Sequence, residues 1–158
     1  MTRFDPVRAA QLIKAARLDA NLSQKELALR ATISQPNLAE MESGKRRPSP
    51  MMLERILSAA DFRPSVAVAL NADALRTAAS NRGFTSVSLF GSLVRGEDHF
   101  DSDIDILVDA EHPLSLFSLG AYAADVEELT GFPADVHEKA SASRSSHGKS
   151  AADQSVPL

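Results

Sequence analysis

Gly91-Ser92-Leu93-Val94-Arg95-Gly96, followed after a short polar loop by Ser102-Asp103-Ile104-Asp105-Ile106-Leu107-Val108, decides how the rear half of this chain is read. A Gly-Ser turn lets backbone amides approach phosphate oxygens, and two aspartates spaced two apart on a strand project to one face, where they can share a divalent cation. Gly91 keeps a side chain away from the closest approach, and Ser92 offers both a hydroxyl and an amide at the start of a short helix. Arg95 lies three residues on, on the helical face of Ser92, placed to bind phosphate or to brace the acidic loop. Ile104 and Ile106 alternate with the aspartates and point into a core.

Around this stretch the pattern predicts a helix over 72–79 ending near Gly83, a strand over 85–90 and a second strand over 103–108. A helix over 114–129, stopped by Gly131 and Pro133, leads to a third short strand over 134–137. That order gives a small α/β sheet with helices packed on it. Carboxylates converging on one face destabilise one another unless a cation neutralises them or a proton is taken up. An all-oxygen donor set favours Mg²⁺ or Mn²⁺ over zinc. Asp101 and Asp109 share the parity of Asp103 and Asp105, so period alone does not separate them; both are expected to be solvated strand ends.

The front half has a different character. Residues 6–20 suit an amphipathic helix opened by Asp5-Pro6, and Ser23-Gln24-Lys25-Glu26 is a capping box that opens a second helix. Ser34 caps a third helix with Pro36 in its first turn, which runs through Leu38 and Met41 to Ser43-Gly44. The basic loop Lys45-Arg46-Arg47-Pro48 then leads into a fourth helix over 50–60 with Leu53, Ile56 and Leu57 on one face. Residues 63–70 show no helical period and contain Pro64, which places a linker at 65–70 between domains at 1–64 and 71–139. After Lys139 the chain is Ser-rich and poor in apolar residues, and 140–158 is expected to be a disordered tail.

Charge divides the 158 residues the same way. Residues 1–64 carry 11 basic against 7 acidic side chains, and residues 65–158 carry 6 against 14, within a formal net charge of −4. A basic front half suggests a nucleic-acid partner, an acidic rear half a metal or a basic partner. With no cysteine there is neither a disulfide framework nor a thiolate zinc site, and the four histidines are scattered. No signal core and no membrane-length apolar run is present, so a cytoplasmic protein without membrane attachment is expected.

The wording Gly91-Ser92-x-x-Arg95-Gly96 then Ser102-Asp103-Ile104-Asp105 resembles the minimal nucleotidyltransferase family, over residues 71–139. The resemblance implies that Asp103 and Asp105 are metal ligands for Mg²⁺ (or Mn²⁺), and that Gly91, Ser92 and Arg95 bind ATP or another nucleoside triphosphate. It implies that Asp135 is the third carboxylate, helping to hold the metal and accepting the proton of an incoming hydroxyl. His137, two residues on, is read as a surface histidine.

Leu22-Ser23-Gln24-Lys25-Glu26-Leu27-Ala28, Ile33-Ser34-Gln35-Pro36-Asn37-Leu38 and Met41-Glu42-Ser43-Gly44-Lys45-Arg46-Arg47-Pro48 together resemble the phage-repressor/Cro family of helix-turn-helix domains, over residues 8–62. One departure is Thr32, where the family often has glycine at the turn. The resemblance implies that the third helix, opened by Ser34, enters the major groove. There Gln35 reads a base edge, Asn37 and Glu40 assist, and Gln24, Lys45, Arg46 and Arg47 grip phosphates. The expected fold class is therefore α+β: an all-α helix-turn-helix domain of four or five helices, then a small α/β polymerase-beta-like nucleotidyltransferase domain.

This pairing of domains looks like an antitoxin of the type that accompanies HEPN ribonuclease toxins. It implies transfer of AMP from ATP to a hydroxyl of the toxin, repression of the shared operon, and a homodimer on operator DNA. Two alternatives belong to other classes: a transcription regulator whose inactive transferase fold serves as sensor or scaffold, and a nucleotidyltransferase acting on a small molecule or tRNA.

Overall fold

The computed structural model describes residues 2–142, 144, 150 and 152–158. A 3-10 turn, Pro6–Arg8, is capped by the Asp5 carboxylate, which accepts from the Val7 amide at 2.9 Å. Four helices follow: α1 Ala9–Asp19, α2 Gln24–Arg30, α3 Gln35–Glu42 and α4 Pro50–Ala59. Serine caps the last three, with Ser23, Ser34 and Ser49 each accepting from the amide three residues on. Ser23 and Glu26 form the reciprocal capping box expected of them.

The ends of these helices explain how the turns tolerate residues other than glycine. Asn21, Thr32 and Asp61 follow α1, α2 and α4 with φ of 54°, 58° and 50°. In each case the next amide reaches back five residues: Leu22 to the Arg17 carbonyl, Ile33 to Ala28 and Phe62 to Leu57. This is the Schellman closure, accompanied here by a hydrophobic residue that packs inward just after the left-handed position. Thr32 thus holds the left-handed conformation despite its β-branch, and the departure at the turn is met by local strain rather than by a different turn.

The next helix corrects the expected organisation. α5 runs unbroken from Pro64–Asn81, so residues 65–70 are its first turns rather than a linker without helical period. Pro64 occupies the first helical position, where its missing N–H costs nothing. Ala67, Val68, Asn71, Leu75 and Ala79 form its buried stripe. Small and β-branched residues lying next to that stripe in sequence hid the period.

The sheet is built from β1 Phe84–Phe90, β2 Ile104–Ala110, β3 Ala134–Glu138 and β4 Val156–Pro157, in the order β3-β2-β1-β4. β1 pairs antiparallel with β2 and β4, and β2 pairs parallel with β3. The four-residue helix α6 Ser92–Arg95 joins β1 to the loop before β2, and α7 Leu116–Thr130 provides the crossover from β2 to β3. The buried Tyr122 of α7 donates to the Leu75 carbonyl of α5 at 3.1 Å and meets Phe84 edge-on at 5.3 Å, which locks both helices to the sheet. The tail expected over 140–158 lies partly outside the described residues. Where it is described, α8 Lys139–Ala142 and β4 replace the expected disorder at those positions, and Leu158 donates its amide to the Val87 carbonyl at 3.0 Å.

One hydrophobic core runs through both halves. Phe4, Phe62, Phe100 and Phe132 meet at centroid distances of 5.6–6.2 Å, bringing together the N-terminal segment, the end of α4, the loop before β2 and the turn after α7. The Arg3 guanidinium lies 4.2 Å from the Phe100 ring centroid and donates to the carbonyls of Gly131 and Phe100. Gly131 is required where it stands: φ is +79°, and a Cβ would meet the Arg3 carbonyl and the Phe4 ring at 2.5 Å.

Candidate active site and DNA-facing helix

Strand register assembles the acidic face. Asp105 of β2 stands opposite Asp135 of the parallel strand β3, with Ile104 opposite Ala134 and Ile106 opposite Val136. Ile104, Ile106 and Val136 are buried, so the alternation turns Asp105 and Asp135 to the other side of the sheet. Asp103, just before β2, is exposed, as are Asp135 and Arg95, while Asp105 is half-buried; the acidic corner is open to solvent.

Gly91 closes the corner from the β1 side. It has φ of +73°, and a Cβ there would collide with the Asp105 carboxylate, so only glycine lets the turn lie flat against that group. Ser92 starts α6 directly after it and is half-buried. Arg95 pairs with Glu97 at 2.8 Å, so the guanidinium braces the acidic loop, and its charge still reaches Asp105.

The Asp105 carboxyl is held above its usual range. Burial is the largest cause, followed by the negative charges of Asp135 and Asp103, with His137 and Arg95 opposing. Three carboxylates therefore share a field that one positive charge would relieve. Among the described residues they are not drawn into a closed coordination group. Asp135 instead meets His137, its Oδ2 lying 3.2 Å from Nε2, and the His137 ring sits 6.2 Å from that of Phe90. His137 was legible as a residue on the face of Asp135 but not as its partner; Phe90, whose ring lies beside that of His137, stands opposite Asp105 across β1 and β2. Asp109 pairs with Lys139 at 4.0 Å, away from the Gly91 turn, and Asp101 is exposed outside the strand. The donors at the corner are carboxylate oxygens with no soft ligand, a chemistry that fits Mg²⁺ or Mn²⁺.

The helix expected to face DNA is built differently. Ser34 and Gln35 are exposed at the start of α3, with Glu40 exposed one turn further and Asn37 half-buried. The Gln35 side-chain amide donates to Gln24 Oε1 at 3.0 Å, so the residue expected to read a base and one expected to hold phosphate orient each other. Arg46 donates to Asn37 Oδ1 at 3.2 Å and its amide to the Glu40 carbonyl at 3.1 Å, tying the basic loop to α3. Lys45, Arg46 and Arg47 are exposed. Behind this surface Arg17 of α1 grips Glu42 of α3 through two hydrogen bonds of 2.8 and 2.6 Å, with both side chains largely buried. The guanidinium beside it holds the Glu42 carboxyl below its usual range.

The acidic corner beside a Gly-Ser turn on a mixed sheet defines a nucleotidyl-transfer fold, and residues 73–156 match the family model described as nucleotidyltransferase domain: the chain belongs to that family. Residues 13–65 match the family model described as helix-turn-helix. A curated relative, protein adenylyltransferase MntA of Thermococcus cleftensis, is 42% identical over 59 residues, which cover 37% of this chain and 60% of that protein. The chain thus spans less than two thirds of the length of the curated relative it matches. No solved structure matches it. None of the helices among the described residues is long and apolar enough to cross a membrane.

Proposed function

We propose that the protein is an antitoxin that represses its own operon through the helix-turn-helix and transfers AMP from ATP to a hydroxyl of its toxin. The register that sets Asp105 beside Asp135, with Gly91 pressed on Asp105, is the observation that carries this reading. The similarity to a protein named as an adenylyltransferase supports the choice of AMP, and the helix-turn-helix match supports operator DNA as the other partner.

In this reading the Gly91-Ser92 turn lays its backbone amides and the Ser92 hydroxyl against the triphosphate, and Arg95 adds charge at its edge. Asp103, Asp105 and Asp135 would hold Mg²⁺, which supplies charge stabilisation where the phosphoryl oxygens become more negative. Asp135, oriented by His137, accepts the proton of the acceptor hydroxyl. The acceptor oxygen forms a bond to the α-phosphorus as the bond to the bridging oxygen breaks, and pyrophosphate leaves. The exposure of Asp103 and Asp135 leaves this face open to a protein-sized acceptor.

Incubation with α-labelled ATP, Mg²⁺ and the product of the adjacent gene tests the proposal. The partner is expected to gain the mass of one or more AMP groups, and Asp135→Ala to keep ATP binding while losing the label. An unlabelled partner with all four nucleotides tried would leave DNA binding as the activity and make the transferase fold a sensor or scaffold.

A further inference from the structure

The loop between Arg95 and β2 contains Asp103 and begins at the nucleotide-binding turn, yet it is secured by the helix-turn-helix half of the chain. Asp61, the left-handed residue that ends α4, accepts the Phe100 amide at 2.8 Å through Oδ1 and meets His99 Nδ1 at 2.8 Å through Oδ2. Arg63, two residues on, donates to both Asp19 carboxylate oxygens at 2.9 and 2.8 Å and extends its remaining nitrogen to Asp98 at 3.5 Å. Asp98 is 1% exposed, and its other oxygen accepts the Ser65 amide at 2.8 Å. Arg63, at the N-cap of α5, makes no side-chain cap bond, so Asp98 caps that helix from outside, its negative charge set against the positive end of the helix dipole. Arg3 holds the Phe100 carbonyl from the far side.

Apart from these anchors the loop is held mainly by Phe100, whose ring packs beside Phe4, Phe132 and Arg3. Its own bonds include a tight turn between His99 and Ser102, the Glu97 amide on the Ser92 carbonyl and the Glu97 carboxylate on Arg95, and Gly96 takes the left-handed conformation. We propose that Asp61 and Arg63, residues of the DNA-binding half, are positioning residues of the nucleotidyltransferase site. They fix the loop that sets Asp103 and Arg95 against Asp105, so the transferase corner is complete only with the helix-turn-helix domain docked on it. The inference rests on the transferase reading and adds to it a second half of the molecule on which the site depends. Nothing in the 71–139 stretch alone supplies these contacts.

Asp61→Gly in the full-length protein is the discriminating variant, because glycine keeps the left-handed backbone without strain while removing both acceptors. Its affinity for Mg²⁺·ATP by calorimetry is expected to fall about tenfold, the scale seen when groups supporting a metal ligand are removed. Amide hydrogen exchange over residues 97–103 should speed by a similar factor, while operator affinity and the main thermal transition stay close to wild type. Asp61→Asn keeps one acceptor oxygen for Phe100 and should restore part of the affinity. A purely structural role would instead lower the thermal transition without a loss confined to nucleotide and loop. If Asp61→Gly and Arg63→Ala bind Mg²⁺·ATP as wild type does and the loop amides are unchanged, the positioning role is overturned while the transferase reading stands. If wild-type protein binds no nucleotide, both are overturned.

Discussion

Helix α3, expected to face DNA, and the acidic corner each rest on a few polar side chains, and they are in opposite electrostatic condition. Around α3 several polar side chains already have partners: Arg17 with Glu42, Gln35 with Gln24, Arg46 with Asn37. At the corner Asp105 is crowded by two more carboxylates and held toward its protonated form. A surface that docks onto a rigid duplex gains from arriving preorganised, since ordering side chains at the interface otherwise subtracts from affinity. A site for a cation and a triphosphate keeps an excess of like charge for the ligand to neutralise.

The largest break in this contrast comes from the finished side. Arg17 and Glu42 are 15% and 7% exposed at the side chain, so replacing one leaves the other charged and buried. Arg17→Met or Glu42→Gln is expected to cost about 3 kcal/mol in urea denaturation at neutral pH. Glu42 also sets an acid limit. Its carboxyl lies below the usual range when folded, so the stability it contributes is present above the unfolded value and is lost as pH falls through the depressed one. Variants that unfold at the wild-type urea midpoint would show that α3 is held by its apolar contacts alone.

Gln35→Ala and Arg46→Ala separate reading from gripping on the same surface. Loss of the Gln35 amide should relax preference at one base pair of each half-site by roughly 1–3 kcal/mol, whereas Arg46→Ala should weaken all sequences alike and flatten the salt dependence. Competition binding against operators with single changed base pairs tells them apart. Unchanged base preference in Gln35→Ala would move the reading role to Asn37 or Glu40.

On the unfinished side the sign reverses. Because the folded protein raises the Asp105 pKa, ionisation destabilises it as pH climbs past the ordinary carboxylate value of about 4. Asp105→Asn should therefore raise the thermal midpoint slightly at neutral pH, an effect reduced by solvent screening, and leave it unchanged in acid. Adding Mg²⁺ should stabilise the wild type and not the variant, since only a ligand bound by the folded state shifts the transition. A destabilised variant would mean the carboxylate is already compensated, and the contrast between the two regions would fail.

What could be read in the sequence follows the range of the interactions. Ser23 and Ser34 cap helices through bonds spanning three residues, and Asp103 and Asp105 share a face by period two, so both were visible locally. Asp135 needed a family pattern to be singled out, and the parallel register then set it opposite Asp105. The unbroken α5 was missed because Pro64 reads as a breaker and works as a helix start. Strand β4 was missed because two residues in a Ser-rich stretch carry no period, and their pairing with β1 is a tertiary event. The same holds for the aromatic seam of Phe4, Phe62, Phe100 and Phe132, whose members are scattered along the chain. The role of Asp98 as a cap for α5 appears only when the halves meet.

The smallest expected effect lies at that meeting and tests whether the two conditions communicate. Hydrogen bonding to Asp61 and its negative charge hold the His99 imidazole above its usual range, with Asp98 adding to and Arg63 subtracting from the shift. Burial pushes Asp61 upward, but the bonds from His99 and the Phe100 amide, with the charges of His99 and Arg63, together hold it below its usual range. His99 therefore contributes stability that is complete below its unfolded pKa and is lost as pH rises through the raised folded value. Asp61 contributes stability that is complete above its unfolded pKa and is lost as pH falls through the depressed one. The pair is whole between about pH 4 and about pH 6.5, the ordinary values of the two groups. Exchange of the Phe100 amide, corrected for its intrinsic pH dependence, should be slowest in that window and quicken as His99 loses its proton, with global stability almost unchanged because His99 is exposed. His99→Gln should remove the alkaline limb and keep the rest. A profile that is flat through neutrality in the wild type would mean that the Asp61 contact to the backbone amide holds the loop without help from the imidazole.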